Sequence, residues 1–330
     1  MITGLRTALV ALGAGIVAGL GLWYTHKSHR QTEVLFEHTR EMDRHQIELT
    51  REGQVTDRYV EAIKLLSSTA STQRIGGVFA LERIMRDSEK DHMTVVEVLA
   101  AFVRQGGSSS CLGDPEVAND QHRRGEHVQA ALTVLGRRPK RNETYRLDLS
   151  GADLRGADLS RAYLEAANLR GTRLEGANLT GAQLYRADVA EAHLEGAVLC
   201  DAELLQVSLV DARMGKENLS GAQLEEASLR GAHLKEARLS RAYLKSADLS
   251  LAQLERAILA RADMEGVELF GAQLEGANLN GARLSSALGC TAESLATARI
   301  SSDTQLPPDL ANDPRIIARI SEFSEGTGSV

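Results

Sequence analysis

The chain has 330 residues, 43% of them apolar but only 4% aromatic, and a formal net charge of −7. So few large rings argue against the core and pocket of a globular enzyme, and the negative balance excludes a general attraction to nucleic acid or anionic lipid. Cys111, Cys200 and Cys290 are far apart and odd in number, which argues against a disulfide framework and shows no metal-ligand spacing.

From Thr7 to Tyr24 eighteen residues carry no charge, and the run ends in Trp23-Tyr24. At about 1.5 Å per residue it spans about 27 Å, close to the hydrocarbon thickness of about 30 Å, with two rings suited to the interface belt. Residues 1–26 therefore read as a transmembrane anchor. A cleaved signal peptide is the alternative, although no small-x-small cleavage site is evident. Lys27, Arg30, Arg40 and Arg44 follow the segment, against Arg6 before it. The positive-inside rule then places the chain in the inner (cytoplasmic) membrane, single-pass, with the C-terminal region cytoplasmic. Gly15 and Gly19 form a GxxxG pair that would let two such helices approach.

Residues 27–54 are charged and read as a linker helix. Leu35, Met42 and Leu49 recur every seven residues, so a coiled-coil homodimer is a candidate beside a solvated single helix. His38 and His45 sit between them as weak candidates for metal or pH sensing. Residues 55–140 read as a small helical domain. Apolar stripes run through Val60, Ile63 and Leu66, then Ile75, Val78, Leu81 and Met85, then Val95, Leu99, Phe102 and Val103. Gly76-Gly77 marks a close helix crossing, residues 105–122 are turn-rich, and a last helix covers 124–136.

Residues 141–290 are dominated by a repeat. Leucine or a close substitute (Val189, Met214, Met264) occupies every fifth position from Leu149 to Leu284, 28 consecutive sites without insertion. Alanine stands two residues before almost every one, often with Asp or Asn between. An α-helix would advance about 500° per repeat and scatter the leucines. A flat strand would put successive leucines on opposite faces. The period requires a corner every five residues, with alanine and leucine inside and three residues outside. A small residue after the leucine eases the turn.

The pattern A-[D/N]-L-x-x, clearest in Ser150-Gly-Ala-Asp-Leu-Arg-Gly-Ala-Asp-Leu159, resembles the pentapeptide-repeat family. That resemblance implies a β-solenoid: a right-handed quadrilateral β-helix of about seven twenty-residue coils. The segments Arg74–Ile84 and Val128–Arg138 are similar to stretches preceding the repeats in membrane-anchored bacterial members. The segments Thr291–Ala298 and Asp303–Pro307 resemble the usual ending, so residues 291–330 read as a C-terminal cap and tail, with Thr291 as N-cap and Glu293 in the first turn of a capping helix.

In coils of that length Arg173, His193, Arg213 and His233 stack in one outward column, a cationic interaction strip with Glu175, Glu191 and Glu195 nearby. Tyr185 and Leu205 form a small apolar pair on another face. Glu217 occupies an inward alanine slot, where a lone carboxylate is costly. The expected relief is a local bulge that returns it to water. No P-loop, dinucleotide fingerprint, HExxH or GxSxG is present, and no cofactor or metal is implied. The expected function is a membrane-tethered, non-catalytic scaffold held by residues 7–24 and presenting a rigid surface to a protein partner of unknown identity, without direct nucleic-acid binding. The alternative, implied by some family members, is a DNA-mimic regulator of a type II topoisomerase. Against it, residues 146–290 hold 16 basic and 21 acidic residues, so no strongly acidic face forms.

Overall fold

The computed structural model describes Trp23 and residues 40–107, 118–141, 143 and 145–326. Contacts divide the chain into a first unit, residues 1–60, and a second, residues 61–330. Helix α1 covers residues 40–66. Within the first unit its apolar side chains are exposed, Met42 at 58% and Leu49 at 50%. Leu35 and His38 of the proposed heptad stripe lie outside the described residues.

The membrane expectation is corrected. Among the described residues no helix is long and apolar enough to cross a membrane, and of the segment 7–24 only Trp23 is described. The described N-terminal helix, α1, carries Arg40, Glu41, Asp43, Arg44, Glu48 and Arg51, charges that hydrocarbon does not accept; residues 7–22 and Tyr24 lie outside the described residues. Single-pass placement in the inner membrane with a cytoplasmic C-terminal region is therefore not carried further.

In the second unit the end of α1 packs with α2 (Ser71–Asp87), α3 (His92–Gly107) and α4 (Ala118–Gly136). Ala62, Leu66, Val78, Leu81, Leu99 and Leu135 are buried between them. Of the glycine pair, Gly77 marks the close crossing: a Cβ there would lie 2.8 Å from the carbonyl oxygen of Ala62. Helices α3 and α4 both extend into the stretch 105–122 that reads as loop.

Residues 147–288 form a four-walled solenoid. Bridges are parallel and separated by twenty residues, beginning with Asp148 to Asn168, Asp153 to Arg173, Asp158 to Asn178 and Tyr163 to Gln183. These four pairs start walls 1 to 4. A regular rung is held by two ladder bonds, as in Leu149 N–H to the Asn168 carbonyl and Asn168 N–H to the Leu147 carbonyl, both 2.8 Å. Every corner is a β-turn, as where the Ala152 N–H donates to the Leu149 carbonyl at 3.1 Å. The residue before that alanine adopts positive φ, the type II signature. Glycine often takes this place, as at Gly151, but Arg161, Glu191 and Leu251 hold it too, at φ 56°, 59° and 62°. Small side chains are therefore not required for the turn; the ladder imposes it. The interior holds columns of alanine and leucine. Where Thr172 replaces alanine it is fully buried, and its hydroxyl donates to the Leu169 carbonyl at 2.7 Å.

The helical layer closes the first coil through its open backbone groups. The Tyr163 N–H donates to the Gly136 carbonyl at 2.8 Å. Gln129 mimics a strand on wall 3: its amide carbonyl accepts the Asp158 N–H at 2.9 Å and its amide nitrogen donates to the Asp158 carbonyl at 2.7 Å. Arg104 donates to the Asp148 carbonyl on wall 1. Arg138, almost fully buried, clamps the junction. It pairs with both Glu143 oxygens at 2.7 and 2.9 Å and donates to the Leu135 and Tyr163 carbonyls. Burial pushes the Glu143 carboxyl upward, but Arg138 and His92 beside it outweigh this and hold it below the ordinary carboxylate range. At the other end α5 (Ala292–Ala296) begins with the expected Thr291 cap, whose side chain accepts the Ser294 N–H. Walls 3 and 4 then gain one more rung each, Asn278 to Arg299 and Arg283 to Gln305. Buried Ala298 and Ile300 repeat the inward pair outside the strict spacing. Helix α6 (Pro314–Gly326) follows; Ile316 is fully buried, and Arg319 donates to the Ala298 carbonyl at 2.8 Å.

Two substitutions test this architecture. Ala232→Leu, at a fully buried position, is expected to lower unfolding free energy by about 1–3 kcal/mol through overpacking, while exposed Arg230→Ala stays within about 0.5 kcal/mol. Denaturant midpoints compare them. Arg138→Ala leaves the Glu143 carboxylate buried without its partner and is expected to cost about 3 kcal/mol or more, with hydrogen exchange accelerating first in residues 147–165.

Candidate functional site

The twenty-residue register puts Arg173, His193, Arg213 and His233 on successive rungs of wall 2, joined by parallel bridges. Arg173, Arg213 and His233 are exposed and His193 is half-buried. Arg173 lies 3.9 Å from the Asp153 carboxylate and 3.5 Å from that of Glu175. His193, Arg213 and His233 have no ion-pair partner among the described residues. The neighbouring column reads Glu175, Glu195, Gly215, Lys235 and Glu255, so carboxylates flank both ends while the centre holds Arg213, Lys216 and Lys235. Lys216 reaches Glu236 at 3.7 Å. Glu191 does not face this strip; it sits on the wall 1 corner, paired with Arg170. The centre of wall 2 thus gathers Arg213, Lys216 and Lys235, with Asp211 on the corner before Arg213 and Glu236 against Lys216.

Beneath this region lies Glu217, and its expected escape to water is corrected: the residue is 2% exposed. The bridges Val198 to Asn218 and Asn218 to Arg238 keep the register. The ladder instead opens locally: the bonds that neighbouring coils make from the Leu199 N–H to the Asn218 carbonyl, from the Asn218 N–H to the Ala197 carbonyl and from the Asp201 N–H to the Ser220 carbonyl are not made here, and one corner N–H changes its acceptor. On the preceding rungs of wall 2, Gly156 and Gly176 donate to the Glu175 and Glu195 carbonyls at 3.0 Å; the Gly196 N–H donates to the Glu217 carboxylate. Burial pushes the Glu217 carboxyl up to about 7, opposed by the Gly196 bond and reinforced by the negative charge of Glu195.

Tyr185 and Leu205 are both half-buried, and the Arg186 guanidinium lies 4.9 Å from the Tyr185 ring centroid. A larger apolar cluster escaped the sequence reading: Leu251, Phe270 and Leu288, each more than half exposed, near the C-terminal end of wall 1. The three occupy different positions within their repeats, so reading single columns did not join them. Cys200 is half-buried and contacts the Asn218 amide at 3.8 Å. Burial pushes the Cys290 thiol up to about 11, which disfavours the nucleophilic thiolate. Cys111 lies outside the described residues. Among the described residues no group of three His, Cys, Asp or Glu side chains is arranged to hold a metal.

A family model for pentapeptide repeats matches residues 146–181, 177–215, 218–252 and 247–285. Similar solved structures include a pentapeptide-repeat protein from the Arabidopsis thaliana thylakoid lumen, 31% identical over 28% of this chain and 65% of that one, with a TM-score of 0.28. HetL, a pentapeptide-repeat protein involved in heterocyst differentiation regulation in the cyanobacterium Nostoc, is 30% identical over 49% of this chain and 81% of its own, at a TM-score of 0.23. QnrB1, a plasmid-mediated fluoroquinolone resistance protein, is 15% identical over 52% and 95%, at 0.29. The Arabidopsis protein is thus matched over slightly less than two thirds of its length, and superpositions this loose carry no functional argument. No curated protein matches the chain.

The geometry around Glu217 has a pH signature. Its raised folded pKa means the folded state retains a proton that the unfolded chain has released, so stability falls as pH rises from about 4.5 to about 7. Glu217→Ala is expected to remove that slope and to raise the apparent Tm by about 5 °C at pH 8, for about 2 kcal/mol recovered, with little change at pH 5. Thermal melts of both proteins at the two pH values check this.

Proposed function

Because the chain belongs to the pentapeptide-repeat family, whose members are generally structural and interaction proteins, we propose that it is a non-catalytic scaffold that binds an acidic segment of a protein partner along the centre of wall 2. The observation that carries this reading is the succession Arg173, His193, Arg213, His233 on adjacent rungs. Rungs stand about 4.8 Å apart, against the 3.2–3.4 Å rise of an extended peptide. An acidic strand lying along the rod therefore meets a new cation about every one to two residues. The backbone beneath is fixed by the ladder, so ordering falls mainly on side chains and partner, which limits the entropy lost on binding.

The topoisomerase alternative has no specific observation in its favour. The wall that would have to imitate a phosphate backbone is interrupted by Arg155 and Arg173, paired with Asp153 at 2.5 and 3.9 Å. The test is site-specific photocrosslinking from position 215, beside the strip on wall 2, and from position 223 on wall 4. A partner captured through an acidic segment from position 215 alone is expected. Equal capture from both walls, or capture that survives Arg213→Gln/His233→Gln in a competition format, overturns the reading.

A further inference from the structure

Wall 3 carries a second cationic feature of different shape. The first column of the corner that follows it runs Ser220, Ser240, Ala260, all small and half-buried. Beside it stand Gly221, Arg241 and Arg261 on successive corners, and these six residues line a hollow of about 470 Å³. Arg238 stands on the opposite side of Ser240 in the same rung. The three guanidinium groups are exposed, and none has an ion-pair partner among the described residues.

Arg161, Arg213 and Arg230 share that absence among the described residues, while other arginines of the rod are held. Arg155 is held by Asp153, Arg170 by Glu191, Arg256 by Glu236, and Arg283 by Asp263 and Glu265. Asp263, two residues beyond Arg261, is already committed to Arg283 at 3.2 Å. Two guanidinium groups about 4 Å apart repel by about 1 kcal/mol even in water, and no ion pair among the described residues offsets this for Arg241 and Arg261. An anion in the hollow would. The Arg261 stem is laid over Gly281 of the next coil, where a Cβ would come within 3.2 Å of its Cγ and 3.0 Å of an Asp303 carboxylate oxygen.

The spacing selects the anion. A carboxylate is satisfied by one bidentate arginine. A phosphomonoester carries close to two charges and three acceptor oxygens, enough to bridge two arginines one rung apart and still accept from a serine hydroxyl. We propose that the hollow lined by Ser220, Ser240, Arg241 and Arg261 binds a phosphomonoester group. This site is separate from the wall 2 strip and does not depend on it.

The probes are inorganic phosphate and a neutral heptapeptide carrying one phosphoserine, with its unphosphorylated form, titrated against the full chain by calorimetry and fluorescence anisotropy. Binding of phosphate, phosphopeptide or both is expected, weakened about tenfold by Arg241→Gln or Arg261→Gln singly, and lost in the double variant. Arg161→Gln, in the same corner column at the far end, should leave it unchanged. If only the phosphopeptide binds, the ligand is a modified protein segment; if phosphate binds equally well, it is the free group. Both support the proposal. No binding of either probe, equal binding of the unphosphorylated peptide, or full affinity in the double variant overturns it. The substituted side chains are exposed, so an unchanged melting curve separates lost binding from lost fold.

Discussion

The interior is so narrow that each five-residue wall can place only one small and one branched side chain inside it. From this single steric limit the rest follows. Alanine and leucine must alternate in columns, the chain must turn before a third inward residue arrives, and the next coil must stack directly on the last. The backbone then satisfies itself through parallel ladders rather than through side chains. That leaves three of every five residues outside without a packing role, and it is there that charge is free to vary.

A structure built by stacking has two exposed ends, and each is closed by a different solution. At the start, Gln129 imitates a missing strand with a carboxamide while the Gly136 carbonyl and Arg104 serve two other walls. Arg138 ties these contacts together from a buried position, with Glu143 as its neutralising partner. At the finish, a short capped helix and one irregular rung on walls 3 and 4 let Ala298 and Ile300 imitate the repeat. The ends thus satisfy the polar groups that repetition cannot, which a stacked array requires.

Two departures from regularity bear on chemistry. Glu217 enters the interior column and takes a backbone N–H that elsewhere goes to a carbonyl, so the middle of the rod is locally weakened where wall 2 carries its cations. After wall 3, Arg241 and Arg261 stand on consecutive corners beside small residues, with no ion pair to hold them among the described residues. A scaffold that only needed to be rigid would gain from neither, since the first costs desolvation and the second leaves charge repulsion unrelieved.

The sequence alone determined the solenoid, because a strict five-residue period with alternating small and large apolar residues admits only a chain that turns at each repeat. It also placed the Arg173–His233 column and the Thr291 cap, since register without insertion makes outward columns countable and capping is local. It did not determine the fate of Glu217, because whether a carboxylate stays inside depends on a free N–H one coil away. Nor did it reveal the clamp of Arg138 on Glu143, the strand mimicry of Gln129, or the hollow beside Arg241 and Arg261. Each of these joins residues from separate rungs or separate layers. Only the tertiary structure decides such contacts, through the distances and pairings that no spacing along the chain encodes.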